Sequence, residues 1–450
     1  MDSKLKRTAM ALAIASALAL PGVAGAQTDK EQALEARVAE LEKIVQQLLA
    51  EKQAAPAPAP AAAVAAAPAK PANPIQDTSV VPNALGGTKF FITGYGKLDV
   101  LYTSTDDGIM APATNIGRDF YVPSLTPVPT TPGAATTSGS YLNSHIKQTR
   151  VMMGTDSVVN DHKLGFRLEF DLYGQATGQG DERISNTYGL AVRHAYMTYD
   201  KWLFGQTWSN FMDVAALSDT VDFIGNTDGT AFVRQGQVRW TSGGLSISAE
   251  NPYLTYSALN ATARSTSDEG RMPDLTAAYQ FKVGKGHIRA SVLGRELRYD
   301  TGTTDDSSYV VGGSLTGKLV LGDNDDVRFT LYGGDGIGRY VGLNFQNDAA
   351  LNAAGDLEAI SGYAGSLAWR HVFSPKFRTN IIWAMQDYDI DTGITPATAL
   401  KGSMSYAVNG FYTPVPKLDL GLEYRYAEIE RENGAEGTMD RFQFTTKYSF

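Results

Sequence analysis

The sequence predicts an all-β fold, a 16-stranded antiparallel transmembrane β-barrel, with an N-terminal periplasmic coiled-coil helix. Three observations indicate this fold. The chain begins with a segment typical of a secretory signal. Alternating apolar and polar segments then recur from about residue 89, and the last of them ends on the aromatic residue Phe450. A closed barrel accounts for the combination, because a sheet inside a bilayer must leave no edge with unpaired backbone groups.

Residues 1–26 have the features of a signal peptide. Lys4, Lys6 and Arg7 precede a short apolar stretch, which ends in the small residues before and at Ala26. The stretch is shorter than the roughly 20 residues that a spanning helix needs, so a membrane anchor is the weaker interpretation. We therefore expect cleavage after Ala26.

Residues 27–53 show the heptad spacing of a coiled coil. The apolar positions follow a 4-3-4-3 pattern: Leu34, Val38, Leu41, Val45 and Leu48. Val at one seam position with Leu at the other favours a dimer, but flanking Ile44 and Leu49 widen the seam enough for a third helix. The alternative is a single amphipathic helix that lies on another surface.

Residues 54–88 form an Ala/Pro-rich linker that cannot pack a core and should be extended and semi-rigid. The linker separates the helix from the barrel, which we place at residues 89–450. A helix and spacer of this kind in the periplasm would reach toward the cell wall or clamp subunits together.

Sixteen alternating segments follow the linker. Seven short gaps and eight longer ones separate them in alternation, which is the asymmetry expected of an even-numbered barrel whose two ends face the periplasm. The segments are 89–103, 143–156, 163–173, 188–199, 201–208, 232–241, 244–252, 273–282, 286–299, 308–321, 326–334, 360–373, 376–387, 400–412, 417–429 and 438–450.

The two faces of these segments differ in polarity. In the third segment, Leu164 and Phe166 have one parity while Arg167 and Glu169 have the other. A soluble sandwich would alternate in the same way. Aromatic residues near the segment ends favour a membrane barrel, because they match the girdles at the two bilayer interfaces.

Composition excludes several classes of function. The chain has no cysteine, and its formal net charge of −9 argues against nucleic acid as a partner. Its five histidines are scattered over different segments without metal-ligand spacing. We therefore expect no cofactor, no metal and no catalytic residue, and we expect the protein not to be an enzyme.

The polar face of the barrel carries more cations than acids, although the chain is acidic overall. Arginine is always charged, and its planar fork matches carboxylate oxygens, so the lumen is expected to prefer anions. The candidate pore-lining, substrate-binding residues are Arg150, Arg167, Arg193, Arg239, Arg289, Arg295 and Lys97. By depth, a mid-membrane constriction would use Arg150, Arg167, Arg193 and Arg295. The alternative is that individual arginines brace the wall through pairs with acids.

The loop at 209–231 is the candidate constriction element, because it is unusually apolar for an exposed loop. Folding into the lumen would bury its apolar residues and set its acids opposite the arginines, which would create a transverse field. These acids are Asp213, Asp219 and Asp222. The alternative is that the loop covers the axis of a trimer.

Several strings resemble a known family. They are Gly205-Gln-Thr-Trp-Ser-Asn-Phe-Met-Asp213, Asp222-Phe-Ile-Gly225, Arg234-Gln-Gly-Gln-Val-Arg-Trp240, Ala249-Glu-Asn-Pro252, Arg193-His-Ala-Tyr196 and Gly94-Tyr-Gly-Lys-Leu-Asp99. Together with the coiled coil, they are similar to DcaP-like trimeric outer-membrane porins over nearly the whole mature chain. The resemblance implies a sixteen-stranded homotrimer with a periplasmic coiled coil, and uptake of small anions, dicarboxylates in particular. A trimer implied in this way overrides the weak dimer preference of the seam.

The function expected from these observations is a passive, anion-preferring diffusion porin of the Gram-negative outer membrane. It would pass small carboxylates through an Arg-lined lumen and would contact outer-membrane lipid. Two alternatives remain: a structural anchor or tether that uses the coiled coil, and an outer-membrane barrel enzyme.

Overall fold

The computed structural model describes Glu40, Lys43 and residues 88–111, 116–174 and 186–450. Glu40 and Lys43 are helical. Otherwise the predicted signal peptide, coiled coil and linker lie outside the described residues, apart from Thr88. Within the described ranges, no helix has the length and hydropathy needed to cross a membrane.

Sixteen strands form one closed antiparallel sheet, with the second strand in two segments. They are β1 (Lys89–Thr105), β2 (Gly139–His145 and Arg150–Val159), β3 (His162–Gly174), β4 (Gly189–Tyr199), β5 (Trp202–Trp208), β6 (Arg234–Ser242), β7 (Leu245–Glu250), β8 (Asp274–Val283), β9 (Gly286–Asp300), β10 (Asp305–Leu321), β11 (Asp325–Asp335), β12 (Ser361–Ser374), β13 (Phe377–Tyr388), β14 (Leu400–Val415), β15 (Leu418–Arg431) and β16 (Glu436–Ser449). The predicted 16-stranded fold is confirmed.

The sheet closes where β1 meets β16. Their register runs from Tyr95 opposite Ser449 to Thr105 opposite Met439. Beyond the strand, the backbone N–H of Phe450 donates to the carbonyl oxygen of Gly94 at 3.0 Å. Closure leaves no unpaired edge, which the hydrocarbon of a bilayer requires.

The alternation within each strand separates two environments. On β16, Phe442 and Phe444 point outward and are 52% and 41% exposed, whereas Arg441, Gln443 and Thr445 point inward and are buried. Apolar side chains exposed on the outside of a closed sheet, with buried polar ones inside, form the pattern of a membrane barrel.

Eight loops join the strands at the end opposite the short turns. They are L1 (described at 106–111 and 116–138), L2 (described at 186–188), L3 (209–233), L4 (251–273), L5 (301–304), L6 (336–360), L7 (389–399) and L8 (432–435). L5 and L8 are much shorter than the predicted loops 300–307 and 430–437, because β9, β10, β15 and β16 extend further than predicted. The extending residues are mainly Asp and Glu, whose polarity hides a strand from hydropathy alternation.

L4 and L6 build a second, small sheet. Leu254–Ser257 pairs antiparallel with Arg264–Ser267 and parallel with Ala349–Leu351, which in turn pairs with Leu357–Ala359. Apolar residues of this sheet pack with Leu297 of β9. The sequence analysis did not predict this sheet.

Two irregularities interrupt the ladder at similar depth. Between the two segments of β2, four residues (146–149) face three residues of β1 (96–98). In β4, Arg193 is an extra residue between Val192 and His194. Bulges of this kind redirect neighbouring side chains, and both lie beside the arginines described next.

Candidate functional site in the barrel lumen

L3 crosses the inside of the barrel. Near its start, the Asn210 amide donates to the Thr276 hydroxyl at 3.0 Å. Further along, the N–H of Val221 donates to the Glu423 carboxylate at 2.9 Å, and Asp228 accepts hydrogen bonds from Ser403 and Ser405. These contacts reach strands β8, β14 and β15, so L3 lies within the lumen.

The apolar residues of L3 are covered by other parts of the chain. Phe211, Met212 and Ile224 are at most 3% exposed, while Phe223 is partly buried. Phe211 packs edge-on against Tyr340 of L6, with ring centroids 5.9 Å apart. Their burial explains why an apolar loop is stable here: it packs against the wall and the other loops.

Wall groups, rather than the mid-lumen arginines, hold two of the three L3 acids. Asp213 contacts the His287 ring at 2.7 Å and accepts from the Thr316 hydroxyl at 2.9 Å. Asp219 pairs with Arg378 at 2.7 Å. These acids thus neutralise part of the wall.

Asp222 is held mainly by backbone groups. It accepts from the N–H of Tyr121 at 3.0 Å and from the N–H of Ile224 at 3.2 Å, and Arg441 lies 3.9 Å away. Within the described residues it makes no ion pair with Arg150 or Arg193, although it lines the same cavity as Arg150.

Arg150 and Arg193 meet at one carboxylate. The Asp171 carboxylate is fully buried and contacts Arg150 at 3.0 Å and Arg193 at 2.6 Å, while Arg150 also contacts Glu169 at 3.0 Å. Both guanidinium groups lie over the ring of Phe223 from L3, at 5.5 and 5.6 Å. The bulges in β2 and β4 lie directly beside these two side chains.

Arg234 completes this group and was missing from the predicted pore-lining residues. Its guanidinium stacks on Trp208 at 4.2 Å and lies 5.5 Å from Phe232. Within the described part of the chain, it makes no ion pair with a carboxylate. Arg234 lies an odd number of positions from Arg239 on β6. Strict alternation therefore predicts that its side chain points away from the lumen. We call Arg150, Arg193 and Arg234 the arginine cluster.

Lys97 and Arg167 lie elsewhere in the lumen. Lys97 is buried, with its ammonium 3.1 Å from Asp99 and 2.8 Å from the carbonyl oxygen of Val221. Arg167 is nearer the short turns, where it pairs with Asp156 at 2.7 Å. Neither residue joins the arginine cluster.

Of the other predicted arginines, Arg239 bonds within the wall, whereas Arg289 and Arg295 hold loops to it. Arg239 donates to Gln237 and to the carbonyl oxygen of Trp208, and Arg289 donates to Asn210 at 2.6 and 2.7 Å. Arg295 is 3% exposed.

Arg295 differs most from its predicted position at the constriction. It pairs with Asp274 at 3.1 Å and with Asp348 of L6 at 2.9 Å. It therefore anchors L6 near the loop end of the barrel, at the level where the neighbouring strand β8 begins with Asp274.

A cavity of about 310 Å³ lies between L3 and the wall beside Arg150. Its lining cations are Lys97, Arg150 and Lys447, and its lining acids are Asp219, Asp222 and Asp419. Arg378, which does not line the cavity, pairs with both Asp219 and Asp419. The negative charge of the lining acids is thus partly neutralised by an arginine outside the cavity lining.

L1 also enters the lumen, which the sequence analysis did not predict. Tyr121 is fully buried, and its hydroxyl donates to Asp228 of L3 at 2.8 Å. Burial raises the pKa of Asp228 above its usual range, against the lowering effect of hydrogen bonds from Ser403 and Ser405. The buried Phe-Tyr-Val run at 120–122 was the available signal for this loop.

Comparison with known proteins identifies a family and a similar structure. A family model described as DcaP outer membrane protein matches residues 127–450. The outer membrane channel DcaP of Acinetobacter baumannii is 24% identical, with a TM-score of 0.66, over 81% of this chain and 98% of that one. No curated protein matches the chain.

Two further solved structures show weaker similarity. An anion-selective porin from Comamonas acidovorans has a TM-score of 0.49 and 9% identity over 81% of this chain and all of that one. OmpF of Salmonella typhi in complex with daunomycin has a TM-score of 0.49 and 12% identity over 81% of this chain and 98% of that one. Similarity at this level supports no conclusion by itself.

Proposed function

Because the chain belongs to the DcaP outer membrane protein family, we propose that its barrel is an anion-preferring diffusion porin for small carboxylates. The proposal places it in the Gram-negative outer membrane, in contact with lipid, and assigns it no enzymatic activity. It also includes a homotrimer and a periplasmic coiled coil.

The observation that carries the anion preference is the charge balance of the arginine cluster. Arg150 and Arg193 pair with two carboxylates, Glu169 and Asp171. Arg234 is within electrostatic range of both arginines, and it has no carboxylate within ion-pair distance in the described residues. Stacking on Trp208 orients Arg234 without neutralising it. An uncompensated cation beside a low-dielectric wall raises the local concentration of anions.

Dicarboxylates are the proposed preferred class. The resemblance implies them, and the cavity beside L3 has a geometry that suits them. Arg150 and Lys447 both lie against the Tyr95 ring, with distances to its centroid of 6.0 and 5.8 Å. A solute with two carboxylates can contact both cations at once, whereas a monocarboxylate of similar size contacts one.

Reversal potential in a planar bilayer under a KCl gradient tests the proposal. We expect the wild type to prefer chloride over potassium. Replacing the arginine cluster together (Arg150→Gln, Arg193→Gln, Arg234→Gln) should lower the permeability ratio at least about twofold, because it removes the local positive potential.

Arg271→Gln is the matched control. Arg271 is an exposed L4 residue whose guanidinium pairs with Asp305 at 3.5 Å, so this variant removes a cation outside the lumen. It should leave the reversal potential unchanged. A cation-preferring wild type, or equal permeability ratios in the wild type and the triple variant, would contradict the proposal.

A further inference from the structure

A second cavity lies among the long loops, separate from the cavity beside L3. L1, L4, L6 and L7 enclose it together with the end of β15, and its volume is about 340 Å³. The two cavities share no lining residue. The volume is within the usual range for small-molecule sites, roughly 300–1,000 Å³.

The charge of this cavity has one sign. Two arginines, Arg264 and Arg431, line it together with hydroxyl and amide side chains, and none of its lining residues is an acid. The acid that acts electrostatically on Arg264 is Asp348. Its carboxylate already pairs with Arg295 and accepts a hydrogen bond from Thr255. An anion in this cavity would therefore meet no lining carboxylate.

Arg264 is held in a fixed orientation with donor capacity left over. Its Nε donates to the Asn347 side chain at 2.7 Å, and its Nη2 donates to the carbonyl oxygen of Asn344 at 2.5 Å. Within the described residues, Nη1 has no hydrogen-bond partner. A guanidinium oriented by neutral amide oxygens keeps its full charge and presents a free edge to a carboxylate.

Arg431 has a different role in the same cavity. Its guanidinium donates to three backbone carbonyl oxygens, those of Pro129, Val128 and Thr398. It thereby ties L1 and L7 to β15, and no carboxylate of the described residues forms an ion pair with it. Arg431 contributes positive potential and a rigid wall rather than free donors.

Side-chain hydroxyls line the cavity beside the arginines. They belong to Ser124, Ser257, Thr262 and Thr395. A hydroxyl both donates and accepts hydrogen bonds, so this lining suits a ligand that carries hydroxyl groups as well as a carboxylate.

We propose that this cavity is a binding site for a small hydroxylated organic anion, such as a sugar acid or hydroxycarboxylate. Its carboxylate would accept from the free edge of Arg264, and one of its hydroxyl groups would bond to the lining hydroxyl of Thr262. The apolar side of the molecule would lie against Phe345, which is 3% exposed and also lines the cavity. The site is independent of the proposed pore selectivity.

Isothermal titration of the purified full-length protein in detergent, with gluconate as the probe, tests this site. We expect saturable binding of gluconate and none of glucose, which has the hydroxyls without the charge. Arg264→Gln should weaken gluconate binding about tenfold or more, because it removes a charge-assisted contact, and Thr262→Val about three- to tenfold, because it removes a neutral hydrogen bond.

Matched variants separate the site from nonspecific effects. Arg271→Gln, in the same loop but outside the cavity, and Thr301→Val, in exposed L5, should leave the dissociation constant unchanged. Arg150→Gln should also leave it unchanged, whatever its effect on ion selectivity. Heat-modifiable mobility on gels checks that each variant folds.

Three results would overturn the proposal. The first is the absence of saturable heat, which would mean that only water occupies the cavity. The second is equal affinity for gluconate and glucose. The third is an unchanged dissociation constant in folded Arg264→Gln. Failure of the pore proposal would appear in the reversal potential instead, so the two outcomes are distinguishable.

Discussion

At the scale of single residues, the partners of each charged group decide whether it acts on the solute or on the wall. Arg295 and Lys97 are buried beside acids, so their charge is largely neutralised locally. Arg234 stacks on an indole instead and keeps its field. The same residue type therefore has two consequences in one lumen, and only the contacts distinguish them.

Asp228 gives the residue-scale prediction. Its raised folded-state pKa means that its stabilising contribution is present below its unfolded pKa, near 3.8, and is lost as pH rises through the folded value. Asp228→Asn cannot titrate. Thermal melting from acidic to neutral pH should therefore show the variant gaining stability relative to the wild type as pH increases.

The slope with pH is the informative quantity in that experiment. The amide of Asp228→Asn meets the hydroxyls of Tyr121, Ser403 and Ser405 differently from the carboxylate, but that offset is independent of pH. Asp323→Asn, in an exposed turn, is the control and should show no comparable trend. A constant difference for Asp228→Asn would contradict the burial argument.

At the scale of elements, the ends of β5 and β6, the two strands that L3 connects, set the position of L3. β5 enters L3 through Trp208, and β6 leaves it at Arg234, opposite Trp208 in the ladder. Gly205 on β5 has φ of +126°, and a Cβ there would lie 2.4 Å from the carbonyl oxygen of Ala195. Because it has no Cβ, Gly205 lets β5 approach β4 closely, just before Trp208, the residue on which Arg234 stacks.

Gly205→Ala should therefore destabilise the barrel by about 2 kcal/mol or more, through backbone strain and a direct clash. Gly236→Ala is the matched control, because Gly236 lies on the neighbouring strand with open space around it. It should change stability by less than about 0.5 kcal/mol. Urea unfolding in detergent or lipid measures both, and equal effects would refute the strain argument.

The sequence predicted elements better than it predicted contacts between them. Strand alternation gave sixteen segments, and each corresponds to an observed strand. Arg234 and the inward path of L1 were missed, because parity assumes an unbroken ladder and carries no information on where a long loop folds. The small sheet of L4 and L6 was missed because its strands have only three or four residues, too few to show alternation.

At the scale of the whole molecule, the barrel is complete within one chain. Its closing pair, β1 with β16, joins the two ends of the described barrel. The proposed trimer and coiled coil are therefore separable from the pore. Each barrel has its own lumen, its own L3 and its own arginine cluster.

Deleting residues 27–75 tests that separation. We expect the barrel to fold and to retain its reversal potential, because β1 and β16 close the sheet within the described residues. We also expect loss of trimers on native gels or by light scattering, since a coiled coil of about three heptads would contribute association energy. Trimers that persist after the deletion would show that the barrel wall drives assembly.

The interruption of β2 has a consequence for how the wall opens over time. At residues 146–149, a turn replaces the regular ladder: the N–H of Thr149 bonds to the carbonyl oxygen of Ile146, and the N–H of Lys97 bonds to the Thr149 side chain. Amides held by a local turn exchange with deuterium sooner than amides held by neighbouring strands. The wall beside the arginine cluster is therefore expected to take up deuterium sooner than the regular strands around it, so slow opening of the wall would begin next to this cluster.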